Sequence, residues 1–249
     1  LHPQLAARLL SAVHLLVGSR FFTPANSVAL AVALADPVVT VGAGMLRLEG
    51  FSACCSTYIR VDMTPEAYVG TVVGKGTTNI DFNAPMRAAL ARVRDADGLA
   101  LSVGRAEFAL HSGGVNVLEK RVELPLRWLR SMVAVQAYQA AMHKVLDVEA
   151  VPALRFLRSL PRASTSKTPL WVVAGPQGLR TTAQHVAGGV RFTDSTRLRV
   201  LESLLPHARS LAVYADAQGQ ASAWCADFGT MRLTLVLSGP DVLRSNWNP

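Results

Sequence analysis

The sequence predicts an α+β fold: two similar β-rich modules, each with one helix packed on a mostly antiparallel sheet, joined by a central helical pair. Short runs of alternating apolar and polar residues, separated by glycine-containing turns, indicate strands and hairpins. A few longer stretches carry apolar residues at helical spacing. The chain has 249 residues, of which 50% are hydrophobic and 17% charged, so it can bury a sizeable core.

The first 37 residues are predicted to be helical, and residues 38–124 to form the first module. Leu5–Val17 has helical spacing, and a further helix over Ser27–Ala35 is expected to end at Asp36-Pro37. In the module, Pro85 is expected to begin the single helix, which extends to Val93. Strands are predicted at residues 38–41, 45–48, 57–63, 77–82, 99–103, 107–111 and 117–124.

Residues 125–161 are predicted to form the central helices. The longer helix begins at Pro125 and continues to about Leu146. Its apolar face carries Leu126, Leu129, Val133, Ala137 and Met142 or nearby equivalents. A second helix covers Val151–Leu160, and the polar segment Arg162–Lys167 is predicted to be a linker. In the second module, residues 168–238, strands are predicted at residues 170–174, 179–183, 190–192, 211–215, 222–227 and 231–237, with a helix at 196–205.

The two modules show the same predicted order: a strand, a helix, and then three strands separated by turns. Leu99 corresponds to Leu211, and Val122 to Leu235, at a nearly constant offset along the chain. This agreement predicts an internal duplication. The alternative is a chance match between two stretches of an ordinary α+β chain.

The net charge of +8 is concentrated in the middle of the chain, between Glu119 and Arg209, and arginine far outnumbers lysine. A guanidinium group can donate two hydrogen bonds to one phosphate, so an arginine-rich region is a candidate nucleic-acid site. Trp128 could add stacking on a base. The alternative is a solvated helical face, with Trp128 in the core and an arginine content that reflects a GC-rich genome. The candidate nucleic-acid-binding residues are Arg127, Arg130, Arg155, Arg158, Arg162 and Lys167.

The adjacent cysteines Cys54 and Cys55 are the first candidates for chemistry, as a nucleophile or, with Cys225 and a histidine, as zinc ligands. No histidine lies near the pair in sequence, and adjacent cysteines rarely bind one ion well. Small apolar residues around them favour burial in the core. We therefore expect no catalytic residue, no metal site and no cofactor in this chain.

Two other patterns are weaker. Gly74-Lys75-Gly76 superficially resembles a phosphate-binding loop, but the lysine precedes the second glycine and a strand follows, so a turn is expected. The carboxylates of Asp62, Glu66 and Asp81 lie at predicted strand ends, where turns and helix caps also place such residues. No pair of acidic residues has a spacing that predicts acid–base catalysis.

Several phrases, spread over most of the chain, carry a family resemblance. They are FSACCSTYIRVDM, GKGTTNIDFNAPMRAALARV, VLEKRVELPLRWLRSMVAVQAYQAAM, RFLRSLPR and AWCADFGTMRLTLVLS. They resemble the SWIM zinc finger family of bacterial, especially actinobacterial, proteins. The zinc motif of that family, Cys-x-Cys followed by Cys-x-His, is absent from this sequence. The resemblance is thus to the region outside the finger, and any zinc would belong to a finger that is not present here.

The resemblance implies a non-enzymatic interaction module with a protein partner, in a system that contains a MoxR-type AAA ATPase or a von Willebrand A-domain protein. Direct nucleic-acid binding is the alternative. A cytoplasmic location is expected, because the start of the chain lacks a signal-peptide pattern and three cysteines suit a reducing compartment. Val28–Met45, the longest apolar region, is interrupted by Asp36-Pro37 and by two glycines, so no membrane span is expected.

Overall fold

The computed structural model describes residues 2–19, 36–52, 56–70, 72, 74–104, 107–122, 124, 126–161, 169–192 and 195–238. Two compact units are present: Leu1–Cys54 with Ile59–Leu126, and Cys55–Tyr58 with Arg127–Pro249. Both combine helices with antiparallel strand pairs, which confirms the predicted α+β class. The predicted helix at Ser27–Ala35 and the predicted linker Arg162–Lys167 lie outside the described residues.

The sheet of the first unit has the strand order β5-β6-β7-β4-β1-β2-β3. The hairpin of β1 and β2 turns at Ala43 and Gly44, whose φ angles of 52° and 74° suit a tight reversal. Every strand predicted for the first module is present. The strands are β1 (Val38–Gly42), β2 (Met45–Phe51), β3 (Thr57–Met63), β4 (Gly76–Ile80), β5 (Ala100–Val103), β6 (Glu107–Ser112) and β7 (Val115–Val122).

Two helices complete the first unit: α1 (Pro3–Val17) packs on β2 and on α2 (Ala84–Arg92). Asn83 caps α2, since its side chain accepts a hydrogen bond from the Met86 amide at 3.0 Å. At Gly50, a Cβ atom would lie 2.5 Å from Cγ2 of Val17. The absence of a side chain at this position therefore permits α1 to approach the sheet closely.

The second unit contains two sheets, of order β14-β13-β12-β8 and β10-β9-β11. Its strands are β8 (His143–Glu149), β9 (Leu170–Gly175), β10 (Gly178–Thr182), β11 (Val190–Phe192), β12 (Ser210–Ala215), β13 (Ala221–Asp227) and β14 (Met231–Ser238). Its helices are α3 (Leu126–Ala140), α4 (Ala150–Ser159) and α5 (Ser195–Leu198). Trp224 is fully buried, stacked on Phe156 at 5.9 Å between ring centroids and edge-on to Phe192 at 5.6 Å.

The predicted central helical pair is not confirmed. α3 ends at Ala140, and β8 occupies the stretch where the helix was predicted to continue. The last four residues of β8, 146–149, alternate between apolar and acidic, and the strand pairs antiparallel with β12, placing Leu146 opposite Val213. α4 packs on β8, β10 and β12. The helix predicted over 196–205 is also shorter: α5 is followed by two 3₁₀ turns, Arg199–Leu201 and Leu205–His207.

The apolar face predicted for α3 is buried only in part: Met142, just beyond its end, is buried. Leu126 and Val133 are 62% and 68% exposed. The buried side chains are those of Trp128, Met132 and Val135, on another face of the helix. Both faces carry apolar residues, so periodicity alone does not identify the inner one.

The internal duplication is not confirmed either. Both stretches have the order strand, helix, three strands, but β4 pairs with β7 whereas β11 pairs with β9 in a separate sheet. The two stretches therefore agree in the order of their elements and differ in strand pairing. In the part of the chain that the structure describes, no helix is long and apolar enough to cross a membrane.

Candidate interaction site

The predicted nucleic-acid-binding residues fall into three groups. Arg130 on α3 and Arg155 on α4 are exposed and have no ion-pair partner among the described residues. Arg158 lies on α4, with Nε 3.7 Å from Oε1 of Glu202. The side chain of Arg127 and the whole of Arg162 and Lys167 lie outside the described part of the chain.

Glu202 reduces the suitability of Arg158 for phosphate. Its carboxylate also pairs with Arg199, at 2.9 Å between Oε2 and Nη2. Arg199 in turn donates from Nη1 to the carbonyl oxygens of Leu157 and Leu160, at 3.1 and 2.9 Å, and so caps the end of α4. The three charged groups form a local network at this helix end, and Arg130 and Arg155 are better placed to bind an external anion.

The outer face of α3 is the most distinctive exposed surface of the second unit. Five of its residues are exposed and recur at helical spacing, so they form one stripe along the helix. We call this the outer stripe of α3; it consists of Leu126, Arg130, Val133, Ala137 and Ala140. Four of its members are apolar, including two large aliphatic side chains, and the fifth is the arginine singled out from sequence.

A part-buried hydrogen bond secures the C-terminal part of α3. Tyr138 donates from its hydroxyl to Oδ2 of Asp216 at 2.6 Å. The other oxygen of Asp216 accepts from the amides of Gln220 and Ala221, at 2.8 and 2.9 Å, in the turn between β12 and β13. Burial, followed by the hydrogen bond to Asp216 and its charge, raises the pKa of the Tyr138 phenol. The protonated tyrosine therefore links α3 to the β-hairpin.

A second polar region lies in the first unit, where β1 begins and β4 ends. Val38 pairs with Asn79, and the amide of Ile80 donates to the Pro37 carbonyl at 3.0 Å. Continuing this antiparallel register by one residue places Asp36 opposite Asp81. Burial, and secondarily the charge of Asp81, raises the pKa of Asp36 to about 6. We call Asp36 and Asp81 the acid pair.

Other titratable groups surround the acid pair. Glu119 on β7 is 6% exposed, and its Oε1 atom has no hydrogen-bond partner in the described structure. Burial and then the charge of Asp81 raise the pKa of Glu119, against a hydrogen bond with Asn83. On α1, the ring of His14 stacks on Phe82 at 5.7 Å, and its pKa is lowered by burial and then by Arg87. Asp81 thus lies within electrostatic range of Asp36, Glu119 and His14.

Asp62 and Glu66 are the other two acidic residues considered in the sequence analysis. Asp62 on β3 lies between two arginines, with carboxylate oxygens 2.6 Å from Nε of Arg47 and 2.8 Å from Nε of Arg60. Glu66 is exposed in the 3₁₀ turn Pro65–Ala67, where a hydrogen bond from Thr64 lowers its pKa. Gly76 begins a strand, so the Gly74-Lys75-Gly76 segment lacks the helix that a phosphate-binding loop requires.

The hypotheses of a nucleophile or a zinc site concern Cys54, Cys55 and Cys225. Cys54 and Cys55 lie outside the described residues. Cys225 is half-buried on β13, and Thr234 Oγ1 lies 3.7 Å from its sulfur. Within the described ranges, no group of three or more His, Cys, Asp or Glu side chains could hold a metal ion.

No protein-family model matches the chain, and no curated protein matches it significantly. The resemblance to the SWIM zinc finger family therefore stays a prediction that rests on the phrases quoted above.

Proposed function

We propose that this chain is a non-enzymatic interaction module that binds a protein partner through the outer stripe of α3. The observation that carries the proposal is the exposure of Leu126 and Val133, at 62% and 68%, along a single helical face. Removing such side chains from water stabilises a complex by about 25 cal/mol for each Å² of apolar surface buried. Amphipathic helices commonly bind partners in this way.

The composition of the stripe suggests what the partner surface offers. Leu126 and Val133 are seven residues apart, which places them about two helical turns from each other on one side of α3. Arg130 lies between them and is exposed. A partner with an apolar groove and a carboxylate midway along it would match this pattern, since an ion pair shielded from water adds specificity.

The resemblance to the SWIM family suggests the class of partner: a MoxR-type AAA ATPase or a von Willebrand A-domain protein, with the module acting in the cytoplasm. This part of the proposal rests on the sequence phrases. The outer stripe supports only the broader idea of a protein partner.

The first experiment is a native pull-down with the full chain as bait, followed by binding measurements with the purified ATPase or A-domain protein that it retains. The double variant Leu126→Ser/Val133→Ser should weaken binding by tenfold or more, about 1.4 kcal/mol, because the apolar contact is lost. Val151→Ser is the matched control, because Val151 on α4 is 60% exposed and lies outside the stripe. Equal affinity of the stripe variant and the parent chain would contradict the proposal.

Nucleic-acid binding is the second candidate, favoured by the exposed Arg130 and Arg155. Fluorescence anisotropy with single- and double-stranded DNA and RNA at low salt tests it. A phosphate-binding protein should lose affinity steeply with salt, and Arg130→Ala or Arg155→Ala should each reduce the salt slope by about one. The control is Arg158→Ala, which should have a smaller effect because Arg158 lies near Glu202. Absence of binding at low salt would exclude this candidate.

A further inference from the structure

The small sheet β10-β9-β11 has one side in the core and one outer side. Side chains alternate between the two sides of a strand, and directly paired residues share a side. Val172 pairs with Val190, and both are buried, as is Phe192 two residues further along β11. Trp171 on β9 and Arg191 on β11 lie between these positions and pair with each other. Their side chains therefore share the outer side of the sheet.

Trp171 lies in the middle of this outer side. β9 is the central strand, and Trp171 pairs with Arg191 on β11 and with Thr182 on β10. Oγ1 of Thr182 accepts from the Gln184 amide at 3.2 Å, which turns the chain after β10. The ring of His185 in this turn meets the indole edge-on, with 5.9 Å between the centroids. Trp171 is only partly buried, so the sheet and the turn orient an indole that still contacts solvent.

The formal charges near Trp171 in sequence are all positive. Residues 150–193 contain no Asp or Glu. Arg180 on β10 and Arg191 on β11 are exposed, and neither has an ion-pair partner among the described side chains. The aliphatic part of Arg180 lies against Gly175, where a Cβ atom would come within 3.4 Å of Cδ. Both guanidinium groups are thus available to a negatively charged ligand.

A partly exposed indole between two such arginines fits the chemistry of single-stranded nucleic acid. Unpaired bases stack on aromatic rings, and guanidinium groups bind phosphate with two hydrogen bonds. Arg180 pairs with Val173 and Arg191 with Trp171, so the arginines lie on opposite sides of β9 and two residues out of step. Their Cα atoms are therefore roughly 12 Å apart. This span exceeds the rise of about 3.4 Å for one stacked nucleotide, which favours a strand over a mononucleotide.

We propose that the outer side of β10-β9-β11 is a binding platform for single-stranded nucleic acid. One base stacks on Trp171, while Arg180 and Arg191 bind phosphates on either side of it. This mode tolerates any sequence, because every base has a π-face. The platform uses none of the residues of the outer stripe of α3, so it does not rest on the proposed protein partner. It also differs from the helical arginines considered above for nucleic-acid binding.

Fluorescence anisotropy with labelled oligothymidylate and oligouridylate at low salt tests the platform in the full chain. Trp171→Ala should weaken binding by about tenfold, because one base loses its stacking partner, whereas Trp171→Phe should retain most of the affinity. Arg180→Gln and Arg191→Gln should each reduce the salt slope by about 0.7, the value for one phosphate contact on a single strand. Arg232→Gln is the matched control, because Arg232 is exposed on β14 in the other sheet of this unit.

The outcomes separate this platform from the other surfaces. Failure of the parent chain to bind single strands, preference for duplex, or equal affinity of Trp171→Ala and the parent would overturn the proposal. Weaker binding by Arg130→Ala with unchanged binding by Trp171→Ala would assign the contact to the helices and would also overturn it.

A measurement on the parent chain does not depend on the folding of a variant that lacks the ring. The indole N–H NMR signal of Trp171, assigned with Trp171→Phe, should shift when oligothymidylate is added. Inorganic phosphate alone should leave it in place, because phosphate has no base to stack. A signal that does not respond to the oligonucleotide, or that responds equally to phosphate, would contradict stacking on Trp171.

Discussion

Residues 76–122 and 190–238 have the same order of elements, a strand, a helix and three antiparallel strands, yet they form different structures. In the first stretch, β4 pairs with β7, so its four strands are neighbours in one sheet, in the order β5-β6-β7-β4. In the second, β11 hydrogen-bonds to β9 in a separate sheet and packs on β12 and β13. Similar local patterns thus specify similar elements without specifying how those elements pair.

The helices and cores explain part of the divergence. α2 has nine residues, is capped by Asn83 and carries Pro85 in its first turn. α5 has four residues and continues as 3₁₀ turns, the last of which contains Pro206. A large aromatic cluster around Trp224 fills the second core. β11 contributes Phe192 to this cluster, so its packing on β12 and β13 buries the ring against Trp224.

Among the predicted effects on stability, loss of the Trp224 side chain from the centre of the aromatic cluster should be the largest. Trp224→Ala should lower the free energy of unfolding by about 3–5 kcal/mol, because a fully buried side chain in contact with two other rings is lost. Chemical denaturation followed by circular dichroism measures it. The control is Trp171→Ala, since Trp171 is only partly buried and should cost less. A loss below about 1 kcal/mol would mean that Trp224 does not organise the second core.

The close approach of α1 to the first sheet gives the next largest effect. Gly50→Ala should cost about 1–3 kcal/mol, because the new methyl group would overlap Val17. Val17→Ala removes the overlapping atom, so the double variant should be less destabilised than the sum of the two single changes. Thermal unfolding of the four proteins of this cycle measures the coupling. If the stability changes of the two single variants simply add in the double variant, the side chains at positions 17 and 50 do not contact each other.

Loss of the Tyr138–Asp216 hydrogen bond, which links α3 to the β12–β13 hairpin, should have an intermediate effect on stability. Tyr138→Phe removes the hydroxyl that donates to Asp216 and should cost about 1.5 kcal/mol, the low end of the range for a hydrogen bond to a charged group, because the bond is part-buried. Denaturant unfolding provides the measurement. Tyr214→Phe on β12 is the control for loss of a tyrosine hydroxyl in the same unit. If both variants lose the same free energy of unfolding, the bond from Tyr138 to Asp216 contributes no more than another tyrosine hydroxyl in this unit.

The smallest expected effect concerns the acid pair, for which residues 190–238 show no counterpart among the described side chains. Asp36→Asn should raise the free energy of unfolding by about 1 kcal/mol at pH 7.5, where the folded protein otherwise holds a half-buried carboxylate. At pH 4 the native carboxyl is protonated, so the gain should disappear. Unfolding curves at the two pH values measure it. If the variant gains the same free energy of unfolding at both pH values, the cause is not the charge of Asp36.

Most individual elements could be predicted from sequence because their signals are local. β3 and β11 match the predicted bounds residue for residue, and the hairpin of β1 and β2 follows from alternation around a glycine turn. β8 was missed because its short alternating pattern directly follows a strongly helical stretch. Its strand conformation depends on pairing with β12, some seventy residues later in the chain, which no local pattern reports.

The candidate sites were harder to predict from the sequence than the individual helices and strands. The outer stripe of α3 contains residues of the predicted apolar face, because helical spacing identifies a stripe without telling which side faces the core. The acid pair requires knowledge of the β1–β4 register, which brings together two residues that are far apart in sequence. Asp81 was considered from the sequence as a carboxylate of a site or, equally, as a cap or turn residue, without a partner across the sheet. Arg130 was identified correctly as exposed, since charge at a helix surface is a local property.

The position of β8 at the end of its sheet has a consequence for self-association. An edge strand presents unpaired backbone groups that can recruit another chain and begin a fibril. β8 carries exposed Lys144 and Asp147, paired at 2.7 Å, and exposed Glu149. Another strand could add only by bringing its own side chains against these charges. The same short segment that interrupts the helices thus also protects the second sheet from edge-to-edge aggregation.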